Sequence, residues 1–249
     1  MMVFDKYSAS FAGSRTVNED YCLEKITDKC AVFVLADGLG GHSNGEVASR
    51  LVCEHICAKA ERNDGKGFLA NAIESAQKHL LEEQKKYSSD DTMKTTVVAL
   101  YIDQGDGRCS FAHSGDSRLY VIRKNKIVSR TLDHSVPQTM ALSGEIKDSE
   151  IRHHPDRGKL LKAMGNEWDE ESPQYEIDAD GIPLKDSDAF LLCSDGFWEW
   201  ITEKEIGKIL KKKLPAEQTV QEMLKVVDAN AAGSAMDNYT VMFLRIKEI

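Results

Sequence analysis

The chain has six cysteines but no Cys-x-x-Cys pair and no Cys/His cluster at zinc spacing. Cys22, Cys30, Cys109 and Cys193 are scattered, and Cys53 and Cys57 stand at core spacing on an expected helix. This pattern predicts reduced, mostly buried thiols, as in a cytosolic protein. No run approaches the ~18 consecutive apolar residues of a membrane span. The N-terminus also lacks the basic and apolar regions of a signal peptide. The expectation is therefore a cytoplasmic protein without a membrane partner. Basic charge is in short supply too, with 32 Lys and Arg against 41 Asp and Glu and a net charge of −9. Such a surface disfavours nonspecific binding to nucleic acid and to anionic lipid. Neither GxGxxG nor GxxxxGK[ST] occurs, so a nucleotide loop is not supported. Only five prolines are present, and no repeat, low-complexity segment or linker divides the chain.

What is present suits one globular domain over 1–249, since 249 residues at 41% apolar can bury a sizeable core. Short segments rich in Val, Ile, Phe, Tyr and Thr predict strands at 4–10, 20–26, 31–36, 95–102, 108–114, 118–123, 126–129, 174–177, 189–194 and 239–246. Turn residues at 104–107 and 123–126 predict hairpins. Helical periodicity predicts a pair of helices at 45–62 and 67–86 and a second pair at 203–213 and 216–232. Thr202 with Glu205 reads as a capping box, Pro215 as a stop and Gly233 as a C-cap. Helices inserted in pairs among antiparallel strands predict an α+β fold rather than a doubly wound parallel sheet. Two packed sheets flanked by helices fit best. Residues 133–171 form a long polar insertion between strands, a candidate flap that includes short helical turns.

Five acidic stops punctuate this pattern: Asn18-Glu19-Asp20, Asp37-Gly38, Gly115-Asp116-Ser117, Ser194-Asp195-Gly196 and Asp237-Asn238. Three follow apolar runs and one precedes such a run. Carboxylates at strand ends can gather at one rim of a sheet, where their repulsion calls for a cation. Oxygen ligands point to Mg²⁺ or Mn²⁺. Arg15, five residues before Asp20, offers a forked donor suited to phosphate; a surface salt bridge is the plainer alternative. Gly38, Gly40 and Gly41 after Asp37 allow close backbone approach, so the Gly38 carbonyl is a candidate ligand, although a tight strand-to-helix turn explains them equally well. His113 reads as a satisfied core histidine, His134 as a residue that could orient the flap, and His153-His154 as solvated. His42 reads as a turn cap that could also donate a proton. Trp198 and Trp200 read as packing residues.

Taken in order, seven blocks resemble the metal-dependent protein serine/threonine phosphatases of type 2C. They are GSRTVNED at 13–20, ADGLGGH at 36–42, TTVVAL at 95–100, HSGDSRLY at 113–120, LDHS at 132–135, LLCSDGFWEW at 191–200 and DNYTVMFL at 237–244. The resemblance spans nearly the whole chain, and the DGLGGH form is similar to bacterial members. It implies a four-layer α/β/β/α sandwich of two antiparallel sheets flanked by antiparallel helix pairs. It further implies that Asp37 bridges two Mn²⁺ or Mg²⁺ ions and that the Gly38 carbonyl, Asp195 and Asp237 complete the protein ligands. Glu19 and Asp20 would hold metal-bound waters, Asp116 would help bind a third, weaker ion, and Arg15 would bind the substrate phosphate. Where many eukaryotic members carry a histidine proton donor, this chain has Leu39.

The implied reaction is in-line attack of a metal-bridging water on phosphoserine or phosphothreonine in proteins. The implied partners are substrates of a serine/threonine kinase, and the protein is expected to be a monomer. No Cys-x5-Arg loop follows Cys193, so a thiol nucleophile is not expected. The alternative readings are an inactive relative serving as a binding module and a calcium-binding structural module. The first would be expected to have lost a metal carboxylate. The second needs acids at alternating positions in one loop, and here they are scattered.

Overall fold

A computed structural model describes residues 2–40, 44–62, 67–86, 93–168, 172, 174–178 and 181–248. In chain order the strands are β1 (Val3–Phe11), β2 (Asp20–Ile26), β3 (Cys30–Asp37), β4 (Val97–Asp103), β5 (Arg108–Ser114), β6 (Arg118–Arg123), β7 (Lys126–Arg130), β8 (Glu176–Ile177), β9 (Ile182–Pro183), β10 (Ala189–Cys193) and β11 (Tyr239–Glu248). The helices are α1 (Gly45–Lys59), α2 (Phe68–Gln84), α3 (Val136–Ser143), α4 (Asp195–Trp198), α5 (Glu203–Leu210) and α6 (Ala216–Asn230).

The strands form two antiparallel sheets. One runs β1-β11-β10-β6-β7; the other runs β2-β3-β4-β5-β8, with β9 also pairing β5. Both sheets are buried on two faces, so their central strands read as near-continuous apolar runs. In β3, Ala31, Phe33 and Leu35 meet Phe190, Leu192 and Leu244 of the opposite sheet. The alternate residues Cys30, Val32, Val34 and Ala36 pack under α1 and α2. On the far side, Leu191, Cys193, Val241 and Phe243 pack under α5 and α6. The expected four layers are thus present. The six cysteines are free, and all but Cys22 are buried.

Local chemistry explains the element ends. The Thr202 hydroxyl accepts from Glu205 N–H, and the Glu205 carboxylate accepts from Thr202 N–H at 2.9 Å, which closes the expected capping box at α5. Lys124 and Asn125 both have positive φ (52° and 58°), the tight turn that joins β6 to β7. Helix α5 stops at Leu210, three residues before the expected end, and Pro215 stands at the N-cap of α6 rather than at the end of α5. The two-residue β9 was not legible beforehand because one of its residues is proline.

Candidate active site

The ladder registers bring the acidic stops to one rim. Asp20 and Asp37 are cross-strand partners in the β2–β3 pair. Beyond them, Asp37 C=O accepts from Thr96 N–H and from the Thr95 hydroxyl, each at 2.8 Å, and Asp37 N–H donates to Thr96 Oγ1 at 3.0 Å. The TTVVAL segment therefore clamps the aspartate before β4 begins. Asp116 lies between β5 and β6, Asp195 opens α4 after β10, and Asp237 precedes β11. The two sheets end together here.

Two glycines make the approach possible. A Cβ on Gly38 would lie 2.4 Å from the Gly45 backbone, where α1 begins. Gly115 has φ +100°, and a Cβ there would lie 2.6 Å from Thr96 Cγ2.

Arg15, Glu19, Asp37, Gly38, Asp116, Asp195 and Asp237 line one cleft of about 500 Å³. Asp20 lies behind it. Its Oδ2 accepts from the Ser194 hydroxyl at 2.7 Å, while Oδ1 is buried without a hydrogen-bond partner. Burial, joined by the charges of Asp195 and Asp237 and opposed by hydrogen bonds from Ser194 and Thr240, pushes the Asp20 carboxyl up to about 7. Burial first, and then the neighbouring carboxylates, also pushes Asp37, Asp116 and Asp195 upward. So many desolvated acids with one orphaned oxygen are relieved either by protons or by added positive charge. A hard divalent cation that takes oxygen ligands fits this donor set.

The cations at the rim are themselves informative. Arg15 donates from Nη2 to Asp237 Oδ2 at 2.8 Å with its side chain 60% exposed, so both the salt bridge and the exposed fork are present. Arg157, for which the sequence suggested no role, donates from the flap to Asp195 Oδ2 at 2.8 Å and lies 3.1 Å from Glu199 Oε2. Asn238 was also missed. Its Oδ1 accepts from Glu19 N–H, and its Nδ2 donates to the carbonyls of Ala12 and Val17, all at 2.9 Å. One buried amide thus fixes the loop that carries Arg15 and Glu19. Only the tertiary structure, which brings Asn238 to residues 12–19 and Arg157 to Asp195, reveals either role.

Behind the rim, Trp198 is fully buried and donates from Nε1 to Asp116 C=O at 2.9 Å. The Arg118 guanidinium sits 3.6 Å from its ring centroid and pairs bidentately with Asp133 at 2.8 and 2.7 Å. That buried pair anchors the start of the flap. Cys193 is buried in β10, and burial pushes its thiol up, so it is no nucleophile.

His113, His134 and Glu176 also cluster, with one ligand-type atom from each within 4.8 Å of the others. Their hydrogen bonds argue against a metal. Gly115 N–H points at His134 Nδ1 at 3.2 Å, so that nitrogen accepts and the proton belongs on Nε2, which faces Glu176 at 3.1 Å. His113 Nε2 donates to Leu132 C=O at 2.7 Å. The pair is structural, and His134 pins the turn before Asp116. Leu39 lies in the cleft wall with no proton to give. No histidine lines the cleft among the described residues, and His42 lies outside them.

The family described as protein phosphatase 2C matches residues 9–239. The chain belongs to that family. A serine/threonine phosphatase, stp, of Listeria monocytogenes is 32% identical over 227 residues, 87% of this chain and 85% of that protein. Among solved structures, serine/threonine phosphatase Stp1 from Staphylococcus aureus superposes with a TM-score of 0.84 at 27% identity, covering 100% of this chain and 96% of that one. The catalytic domain of the phosphatase PstP, solved with two manganese ions, covers 100% of both chains with a TM-score of 0.81; at 24% identity it speaks for the fold. This type 2C chain is a metal-dependent serine/threonine protein phosphatase. Among its described residues, no helix is long and apolar enough to cross a membrane.

Proposed function

We propose that the cleft hydrolyses phosphoserine and phosphothreonine on proteins by in-line attack of water. The observation that carries this reading is the buried surplus of carboxylates at one rim, with Asp20 Oδ1 left unpartnered. Asp37, the Gly38 carbonyl, Asp195 and Asp237 would hold two Mn²⁺ or Mg²⁺ ions. Glu19 and Asp20 would order the surrounding water, and Asp116 with Asp195 would hold a weaker third ion. Bound there, the cations supply charge that neutralises phosphoryl oxygens and acidifies water.

The side chains account for the rest. Asp37 and Asp195 orient the attacking water toward phosphorus. The exposed Arg15 fork, tethered at one end to Asp237, pairs with the equatorial phosphoryl oxygens as charge develops. Asp20, held by Ser194, offers Oδ1 as an acceptor to water. Leu39 supplies no acid, so water protonates the leaving oxygen.

The free, mostly buried cysteines support a cytoplasmic location; the protein would act as a monomer on the products of a serine/threonine kinase. The test is hydrolysis of p-nitrophenyl phosphate and a phosphothreonine peptide with Mn²⁺ or Mg²⁺. Asp37→Ala and Asp195→Ala should each abolish turnover while the far-UV circular dichroism is retained. Near-wild-type turnover in either variant would overturn the assignment. An inert wild-type protein that still binds phosphopeptide would favour the binding-module reading.

A further inference from the structure

Among the described residues Arg15 and Lys94 line the cleft and Arg157 reaches its rim through Asp195; both arginines are committed. Arg15 is paired with Asp237, and Arg157 is paired with Asp195 and Glu199. Lys94 also lines the cleft, and it has no carboxylate partner among the described residues.

The Lys94 backbone is fixed on both sides. Its carbonyl accepts from Leu39 N–H at 2.9 Å, and the next residue, Thr95, exchanges two backbone hydrogen bonds with Met164 at 3.2 and 2.9 Å. One residue earlier, the Gln84 side chain donates to both Met93 C=O and Gly165 C=O. Lys94 therefore stands between the Gly38-Leu39 turn and the returning arm of the flap. Arg15 belongs to a different segment, the loop tied to Asp237 and Asn238.

This separation gives the two cations different tasks. A phosphate held at Arg15 and the carboxylate rim leaves its peptide to run along the flap-side wall. Leu39, Leu160 and Ala163 line that wall with apolar surface, and Lys94 is its cation. A half-buried lysine beside apolar groups, with no carboxylate partner among the described residues, is matched by an anion brought by the ligand.

We propose that Lys94 is a specificity-determining residue that receives the carboxylate of an acidic side chain flanking the phosphoserine or phosphothreonine. The preferred substrates are then acidic phosphoprotein segments. This rests on the phosphatase reading given above. Discrimination arises because a neutral or basic flank leaves Lys94 unmatched or repelled.

The test uses the full chain with Mn²⁺ and two phosphothreonine peptides that differ only in acidic or neutral flanking residues, with p-nitrophenyl phosphate as a third substrate. The wild-type protein should favour the acidic peptide in kcat/KM by about fivefold, the scale of one partly exposed charge pair, mostly through KM. That ratio should shrink as salt is raised. It should fall to near one in Lys94→Ala, persist in Lys94→Arg, and turn against the acidic peptide in Lys94→Glu. A purely structural role would not make the preference follow the sign of the charge.

An unchanged ratio in Lys94→Ala, alongside ordinary wild-type hydrolysis of p-nitrophenyl phosphate, would overturn this proposal alone. So would an equal loss in Lys94→Ala on all three substrates, because Lys94 would then serve the phosphate itself. A wild-type protein inert toward all three would overturn the phosphatase reading and this proposal with it.

Discussion

Arg157 Nη1 donates to Asp195 Oδ2 at 2.8 Å, so a side chain of the flap holds one oxygen of a carboxylate at the catalytic rim. The same guanidinium lies 3.1 Å from Glu199 and 5.8 Å from the Trp198 ring centroid. The flap is thereby tied to the charge cluster, and its cation competes with any ion that Asp195 would bind.

Removing that competitor should strengthen metal binding. In calorimetry without substrate, Arg157→Ala should bind Mn²⁺ more tightly, by about three- to tenfold, because a positive charge within a few ångströms is lost. Equal or weaker binding would show that Arg157 supports the ligand geometry rather than opposing the ion.

Arg15 should behave differently. Its fork is 60% exposed and bound to Asp237 through one nitrogen only. Arg15→Ala should lower kcat/KM on p-nitrophenyl phosphate by about 10- to 100-fold, the weight of a lost charge-assisted phosphate contact. Mn²⁺ affinity should change far less. An unchanged kcat/KM would exclude Arg15 as the phosphate clamp.

Asn238→Ala should destabilise the protein by about 1–3 kcal/mol, since it leaves Glu19 N–H and the carbonyls of Ala12 and Val17 without their partner. The loop should also loosen, so trypsin should cut after Arg15 faster than in the wild type. Denaturant melts and timed digestion would measure the two effects separately.

His134 predicts a pH dependence. Burial, with the charges of His113 and Lys162, lowers its pKa from 6.5 to about 4 despite the opposing pull of Glu176. Between those values the unfolded chain binds more protons at this residue than the folded one, so its contribution rises with pH. It is fully present above about 6.5 and is lost as pH falls toward 4. Urea unfolding at pH 7.5 and pH 5 should therefore show the stability gap between wild type and His134→Gln narrowing on acidification. A gap that widens would mean that His134 is charged in the folded state.

Much of this arrangement was legible beforehand. Strands β2, β5 and β6 begin and end where the residue pattern placed them, because alternation and flanking turn residues are local signals. The Thr202–Glu205 cap is equally local. Four of the five acidic stops were legible as strand-end residues, since each stands where an apolar run meets a turn. Arg157, Lys94 and Asn238 carried no such mark. Each sits in a loop of ordinary polar composition; Arg157 and Asn238 act on residues far away in sequence, and Lys94 reaches the cleft only through the fold. The paired helices at 45–59 and 68–84 were visible from periodicity, but not that Gly45 would press against Gly38.

The sequence by itself determined the two-sheet, paired-helix architecture and the set of carboxylates, because burial pattern, turn chemistry and charge are properties of short segments. Tertiary structure decided which atoms share the cleft and what each one meets there. Long-range ladder register sets Asp20 opposite Asp37 and ends both sheets at one rim. Returning loops then distribute the cations: Arg15 to Asp237, Arg157 to Asp195, and Lys94 to the open wall. Charge pairing falls off within a few ångströms, so it depends on positions that only the packed fold supplies.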